Sequence, residues 1–567
     1  MDRADLIAYA RGERPADLVL RGGRVADVFS GELVAADVAV AGGRIVGVGT
    51  GYEGAKEAQL AGAVVAPAFL EAHVHVESTL LAPFEFARAT CVRGTGTAVC
   101  DPHEIANVLG VAGVEWMLEA ARAAPIEVLA MAPSCVPATD METAGAALDA
   151  AAIASLLEHP GVIGLAEVMD FPGVIDGAPG VLAKLDAAGP RPIDGHAPGV
   201  TGPRLNAYAA AGPGSDHEST RLLEAREKLR LGLRVFLRDG TPARDLDALL
   251  PLVTPVNARR CAMVNDDVSP SDLLHRGHLD HHLRKAVAAG IDPLVALQMV
   301  TLNVAEWFGL PDRGAIAPGR RADLTVLGDL TSFGAERVYH GGALVAEGGR
   351  CLVTPRDPPP LAPTVHVDFA KVRLGRPAGP GARARVIEVV PGAIVTGARE
   401  EPAPVRDGRL AADPARDLAK LAVVERHTGA SGTAVALVAG LGLRRGALAS
   451  TVAHDHHNLV LAGADDASML TAGVQAARLG GGLVAADGDR VLASVALPLA
   501  GLMSPRSIEE VAAEHAAALA AARELGSPLE DPFMTLSFLG LEVIPELKLT
   551  DLGLVDVTRF ALVDAVI

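Results

Sequence analysis

The chain has 567 residues, half of them hydrophobic, and a formal net charge of -19. That length is too great for one core and predicts two or three domains, and the charge excludes DNA or RNA as a bulk partner without bearing on a small ligand that carries no phosphate. No apolar run is long and clean enough to span a bilayer, the start Met1-Asp2-Arg3-Ala4-Asp5 lacks the order of a signal peptide, and five scattered cysteines contain no Cys-x-x-Cys, so a cytoplasmic protein without membrane, disulfide framework or thiolate zinc site is expected.

Residues 17–49 alternate apolar and polar between tight breaks. Leu18-Val19-Leu20 precedes Gly22-Gly23, and Val38-Ala39-Val40 precedes Gly42-Gly43. Glycine pairs supply the positive φ of hairpin turns, which predicts a small antiparallel β unit. Similar text returns after residue 318. Ala322-Asp323-Leu324-Thr325-Val326-Leu327 echoes Ala16-Asp17-Leu18-Val19-Leu20, and Val338–Val345 reads as a hairpin. Residues 1–66 with 318–355 are therefore expected to form one small β-sandwich domain, with the central segment inserted into it.

That segment, 67–317, alternates strand and helix text. Its strand candidates end near His75, Asp101, Ser134, Glu167, His196, His217, Asp239 and Asp266, with helices predicted at Ile105–Ala123, Ala146–Glu158 and Glu218–Leu231. Eight such alternations predict an α/β fold, a TIM-like (β/α)8 barrel, whose functional groups lie at the C-terminal ends of the strands. The sixth strand has the poorest text, Ala211-Gly212-Pro213-Gly214. Ser215-x-x-Glu218 has capping-box spacing, Glu224 and Lys228 an i,i+4 pairing, and Gly290 the place of a helix stop. Proline-rich 353–364 reads as a linker. Residues 364–567 are expected to be a C-terminal α/β domain, with strands at Val386–Val395, Ala434–Val438 and Leu459–Leu461, a turn at Gly480-Gly481-Gly482 and a helix at Ile508–Leu525.

The chemistry centres on Ala72-His73-Val74-His75-Val76-Glu77-Ser78. Two histidines one residue apart on a strand point the same way and can reach one metal ion. Glu167, His196, His217 and Asp266 each follow a short apolar run. Six ligands are too many for one catalytic metal, which must keep an open position. They suit two ions, with His73, His75 and Asp266 on one, His196 and His217 on the other, and Glu167 between them. Nitrogen and oxygen donors without thiolate suit Mn(II), Fe(II) or Zn(II). A solvent oxygen held between two cations becomes hydroxide near neutrality, and Asp266 could take its proton and pass it to a leaving group. Blander readings exist: Glu167 as a surface carboxylate, His196 as a loop residue, and Asp266-Asp267 as a cap for the helix after Pro270. For His278, His281 and His282 the structural reading is preferred.

Longer motifs carry a resemblance. The first histidine pair, Asp101–Gly110, Gly195–Gly199, Ser215–Glu218 and Gly277–His281, with His454–Asn458, Leu497–Ser504 and Pro545–Asp551 near the end, resemble the bacterial adenine deaminase family of the amidohydrolase superfamily over nearly the whole chain. The resemblance implies hydrolysis of adenine to hypoxanthine and ammonia in purine salvage, with adenine and water as substrates. It also implies two divalent metal ions per chain, Mn(II) or Fe(II) ahead of Zn(II), on the six residues above. It places Asp101, His103 and Glu104 at the site for substrate contact or proton transfer, beside Asp266 and Glu167. A homo-oligomer, dimer or higher, is expected by fold analogy. The chain departs from the family text at Glu71, Asn265, Val268 and His456, and Asn265 and Val268 are expected near the substrate. The competing reading is an amidohydrolase acting on a related aminopurine or a cyclic amide.

Overall fold

The computed structural model describes residues 1–567. Eight parallel strands form the central barrel: β1 (Phe69–Val74), β2 (Thr95–Cys100), β3 (Glu127–Ala132), β4 (Val162–Val168), β5 (Ile193–Gly195), β6 (Ser215–Asp216), β7 (Arg234–Arg238) and β8 (Cys261–Val264). β1 to β5 pair as one arc and β6 to β8 as another. Two seams join the arcs. Gly214 N–H donates to Ile193 O at 3.0 Å beside β5 and β6, and Val74 bridges Asp266 in parallel beside β1 and β8. β6 is two residues long, in keeping with its poor strand text.

Leu70, Ala72, Val99, Leu129, Met131, Ala166, Phe236, Ala262 and Val264 fill the barrel interior, with Val304, Ala305 and Phe308 from the segment after it packed on the same layer. The interior is therefore a packed core. Two strands carry one residue too many for simple pairing. β1 shifts register against β2 between Glu71 and Val74, and β4 shifts against β5 between Leu165 and Val168. Such bulges re-aim side chains. Here Ala72 and Ala166 belong to the interior, and the residue after each, His73 and Glu167, also faces inward, at the mouth.

Several helix boundaries differ from expectation. Ile105–Ala123 is two helices, His103–Leu109 and Val111–Ala120, broken at Gly110 with φ +64°. The second expected helix is shorter, Ala150–Leu157, and starts where Asp149 accepts a hydrogen bond from Ala152 N–H. The third starts at Leu222, so no capping box forms at Ser215. Ser215 Oγ instead donates to Asp194 Oδ1 at 2.8 Å, and Glu218 turns toward Arg238. Lys228 does meet Glu224 at 2.8 Å, but it is fully buried and also meets Asp216 at 2.8 Å. Gly290 ends its helix with φ +93°.

The small β domain comprises two sheets. One orders Arg44–Gly49, Asp37–Ala41, Ala16–Arg21 and Gly54–Gln59. In the other, Val64–Pro67 runs antiparallel to Leu324–Leu327, pairing the chain entering the barrel with the chain leaving it. Gly42-Gly43 and Gly341-Gly342 are hairpin turns with positive φ. Gly22-Gly23 is not: the strands on either side lie in different sheets, so this pair turns a corner.

The C-terminal domain is built on an eight-stranded sheet, ordered Thr396–Pro402, Arg383–Val389, Thr433–Ala439, Leu418–Val424, Leu459–Gly463, Ala447–Ser450, Gly482–Asp487 and Arg490–Ala496. The strand expected to reach Val395 stops at Val389, ahead of a turn at Pro391-Gly392. Ile508–Glu524 is a helix, capped by Ser507 and Glu510 in a capping box. An apolar core of 83 buried side chains runs from the barrel helices into this sheet, so the two domains share one interior. No helix is long and apolar enough to cross a membrane.

Candidate active site

All six predicted ligands converge, buried, at the C-terminal mouth of the barrel. His73 and His75 sit just past the bulge of β1, with ring centroids 4.9 Å apart. His75 Nε2 lies 3.0 Å from Asp266 Oδ1 and 3.4 Å from Glu167 Oε1. His73 Nε2 lies 3.6 Å from Asp266 Oδ1 and 3.8 Å from Glu167 Oε1. The other oxygen of Glu167 faces the other pair: Oε2 is 2.5 Å from His196 Nδ1 and 3.3 Å from His217 Nε2. One carboxylate thus stands between two sets of imidazoles.

His73, His75 and Asp266 can hold one divalent ion, and His73, Glu167 and His217 lie within reach of another. His73 Nε2 is buried without a hydrogen-bond partner, as suits a nitrogen whose lone pair is kept for a cation. Nitrogen and oxygen donors with no thiolate fit Mn(II), Fe(II) or Zn(II). Burial, reinforced by His217, keeps the His73 imidazole below its ordinary pKa and hence neutral. Burial would raise the Glu167 carboxyl, but His217 and His196 overcome it and hold the group well below the usual range.

Asp266 takes its place through backbone as well as side chain. Its φ is +59°. Its N–H donates to His73 O at 3.0 Å, and its carbonyl accepts from His75 N–H at 3.3 Å. Arg238 at the end of β7 donates to Asp266 Oδ2 at 2.8 Å, leaving Oδ1 toward the histidines. Asp266 is no helix cap, since Ser269 caps Pro270–His275. Asp267 accepts from Ser78 Oγ and lines the cleft.

The cleft is narrow, with a free volume of about 40 Å³. His103 and Glu104 line it. Asp101 stands behind them, its Oδ2 3.2 Å from His103 Nδ1. The opposite wall comes from the C-terminal domain. His454 Nδ1 is 3.5 Å from Glu104 Oε1, and Asp455 Oδ1 is 3.5 Å from His103 Nε2. Ile394, Phe538, Leu541 and Ile544 cover the rest, packed with Cys135 and Met169 of the barrel.

The motif His454–Asn458 divides in two. His454 and Asp455 face the cleft; His457 and Asn458 hold the segment in place. His457 Nδ1 accepts from Ala453 N–H at 3.1 Å. Asn458 Nδ2 donates to Thr143 O of the barrel at 2.9 Å, and its Oδ1 accepts from Arg426 N–H at 3.1 Å. The buried Arg426 guanidinium ties His457 O, Ala500 O and Thr364 together. The other two motifs also grip the barrel. Ser504 N–H donates to Leu80 O at 2.8 Å, and Asp551 Oδ1 accepts from Thr143 N–H at 2.9 Å.

Asn265 and Val268 do not line the cleft. Asn265 Nδ2 donates to Glu71 Oε2 at 2.5 Å beneath the histidines, and Val268 is buried in the shared core. Glu71 Oε1 accepts from His73 N–H at 3.1 Å, so this pair buttresses β1. His278 backs the same pair, 3.4 Å from Glu71 Oε2 and 2.9 Å from Thr95 Oγ1, while His281 meets Asp239 and His282 is buried. Sequence reasoning missed Arg238 and the role of Glu218, which both line the cleft. Glu218 follows His217 directly and carried a signal, but local spacing assigned it to a cap. The apolar residues Phe538–Ile544 carried none.

A barrel inserted into a β-sandwich, with a histidine and carboxylate cluster at the strand ends, defines a metal-dependent hydrolase. The sequence profile of the Amidohydrolase family matches residues 64–248 and 245–345, and that of the Adenine deaminase C-terminal domain matches residues 393–561. An adenine deaminase of Desulfatibacillum aliphaticivorans is 47% identical over 559 residues, 98% of each chain. Adenine deaminase 2 of Carboxydothermus hydrogenoformans is 49% identical over 563 residues, 99% of this chain and 98% of that one. The chain belongs to the adenine deaminase family of the amidohydrolase superfamily.

Proposed function

We propose the following division of labour for an enzyme that hydrolyses adenine to hypoxanthine and ammonia. His73, His75 and Asp266 would hold one divalent cation and His196 and His217 a second, with Glu167 placed to serve both. The observation that carries this reading is Glu167, whose Oε1 faces His73 and His75 while Oε2 faces His196 and His217. The donor set fits Mn(II), Fe(II) or Zn(II), and the family resemblance favours Mn(II) or Fe(II). When bound, the cations supply Lewis acidity and lower the pKa of the attacking water.

The protein's own groups move the protons and place the base. Asp266 Oδ1 accepts a proton from the water, because Arg238 occupies Oδ2 and makes that oxygen the poorer base. Water adds to carbon six of the purine, the proton passes to the amino group, the carbon–nitrogen bond breaks and ammonia leaves. Glu104 and His103 contact the ring. Burial would lower the His103 imidazole, but Glu104 holds it well above its ordinary pKa. His103 therefore gives the adjacent ring nitrogen its proton as carbon six becomes tetrahedral, and regains one when the carbon-six hydroxyl becomes the carbonyl. Asp101 orients His103 through Nδ1. His454 and Asp455 close the polar end of the purine site, and Phe538, Leu541 and Ile544 exclude bulk water.

Asn265 and Val268, both away from the cleft, give no ground for a different purine. The test is to incubate metal-loaded protein with adenine, follow ammonia release and count metals. Turnover with about two ions per chain is expected. Full activity with one ion ends the bridging assignment, and no ammonia from adenine ends the functional one.

A further inference from the structure

A second, larger cavity lies just outside the cleft. It has a volume of about 380 Å³, within the size range of small-molecule sites, and lies between the barrel loops after β3 and β4 and the last residues of the C-terminal domain. Met169 lines both spaces. The neighbouring residues Val543 and Ile544 line one space each, so the two spaces adjoin along this strip. Methionine, unbranched and flexible, is suited to a movable partition.

The lining selects a class of occupant. Two phenylalanines, Phe171 and Phe560, contribute ring surface. Phe560 is 51% exposed and holds φ +50°, a conformation a bulky residue seldom adopts, which displays its ring at the rim rather than burying it. The only ionisable side chains lining the cavity are Asp140 and Asp170. No cation is present to welcome a phosphate, and two carboxylates repel one. Flat aromatic surface with only negative charge suits a neutral planar heterocycle and disfavours a nucleotide.

We propose that this cavity is an antechamber, a second binding site that captures the neutral purine base by stacking and passes it to the cleft past Met169. The proposal rests on the deaminase reading for the identity of the base. The cleft's own cover of Phe538, Leu541 and Ile544 is buried, and the second cavity, with Phe560 exposed at its rim, offers a route beside that cover.

Val557 lines the antechamber but not the cleft, which separates passage from chemistry. In metal-loaded, full-length enzyme, Val557→Trp obstructs the path, and hypoxanthine is the probe because it binds without reacting. Stopped-flow relaxation should show its association and dissociation rate constants both lowered by about fivefold or more, with Kd and metal content unchanged. Should that variant melt early, exposed Thr558→Trp takes its place with the same expectation. Unchanged rate constants in a well-folded variant overturn the antechamber, and so does a change confined to dissociation, which would place the effect in the cleft. Wild-type turnover of adenine tests the functional reading separately: an active enzyme with unaltered rates loses only the antechamber, and a wild type that neither binds hypoxanthine nor deaminates adenine loses both.

Discussion

The two walls of the cleft are made in opposite ways. The barrel wall is a set of charged or imidazole side chains from the end of every strand but β3, two of them aimed by bulges. The wall from the C-terminal domain is mostly Ile394, Phe538, Leu541 and Ile544, with His454 and Asp455 as its only polar members. One wall carries charge and protons; the other carries shape and dryness. Changes in the first should cost rate or metal, and changes in the second should cost substrate affinity or stability.

The largest expected effect lies at the centre of the barrel wall. Glu167→Gln should bring bound metal below two ions per chain and lower kcat by about 10³-fold, roughly 4 kcal/mol of barrier, because a neutral amide cannot serve two cations. Metal analysis beside steady-state kinetics checks it. Next come His103→Ala and Glu104→Gln, which should keep their metals and lose about 10²–10⁴-fold in rate. Metal loss in either would move that residue into the ligand set.

The C-terminal wall is then split within one motif. Asp455→Asn should raise KM for adenine about tenfold, or 1.4 kcal/mol, with Tm unchanged. His457→Ala should leave KM alone and cost about 1–3 kcal/mol of stability, since it strands the Ala453 N–H. The same response from both would erase the distinction between the cleft-facing and packing halves.

The smallest effect is on pH. Glu142 and Glu542 lie together between the domains, and burial pushes the Glu542 carboxyl up to about 7. A carboxyl whose folded pKa is raised binds its proton more tightly when folded, so its contribution to stability declines as pH rises from about 4.5 toward 7. Lys548, lowered to about 7 by burial, acts in the opposite sense only above that window. Tm should therefore fall between pH 5 and pH 7 by a margin that shrinks in Glu542→Gln. An equal slope in both proteins would remove this pair from the interface's pH response.

The barrel wall was legible because its chemistry demands uncommon residues. His73, His75, Glu167, His196, His217 and Asp266 could be read at strand ends, and all six meet. What aims two of them could not be read, because a bulge has no sequence mark beyond the residues around it. The apolar part of the C-terminal wall was illegible for the converse reason: Leu541 and Ile544 look like any core residues, whereas His454 and Asp455 belong to a motif the sequence displays. Ser-x-x-Glu spacing shows the limit of local text. At Ser507–Glu510 it forms a capping box on an exposed helix start. At Ser215–Glu218 it does not, because Asp194 and Arg238 offer buried partners to the same two side chains. Tertiary competition decided between identical spacings.

Asp266 is both a proposed ligand and the residue whose backbone stitches β8 to β1, by way of His73 O and His75 N–H. Ribosomal synthesis delivers the histidine pair early and this residue late. A nascent chain that has emerged only as far as Val264 holds five of the six donors but neither the seam nor the sixth. With the proposed ligand set, acquisition of a full complement of metal would be tied to completion of the barrel, and a prematurely truncated polypeptide would lack one of the proposed donors.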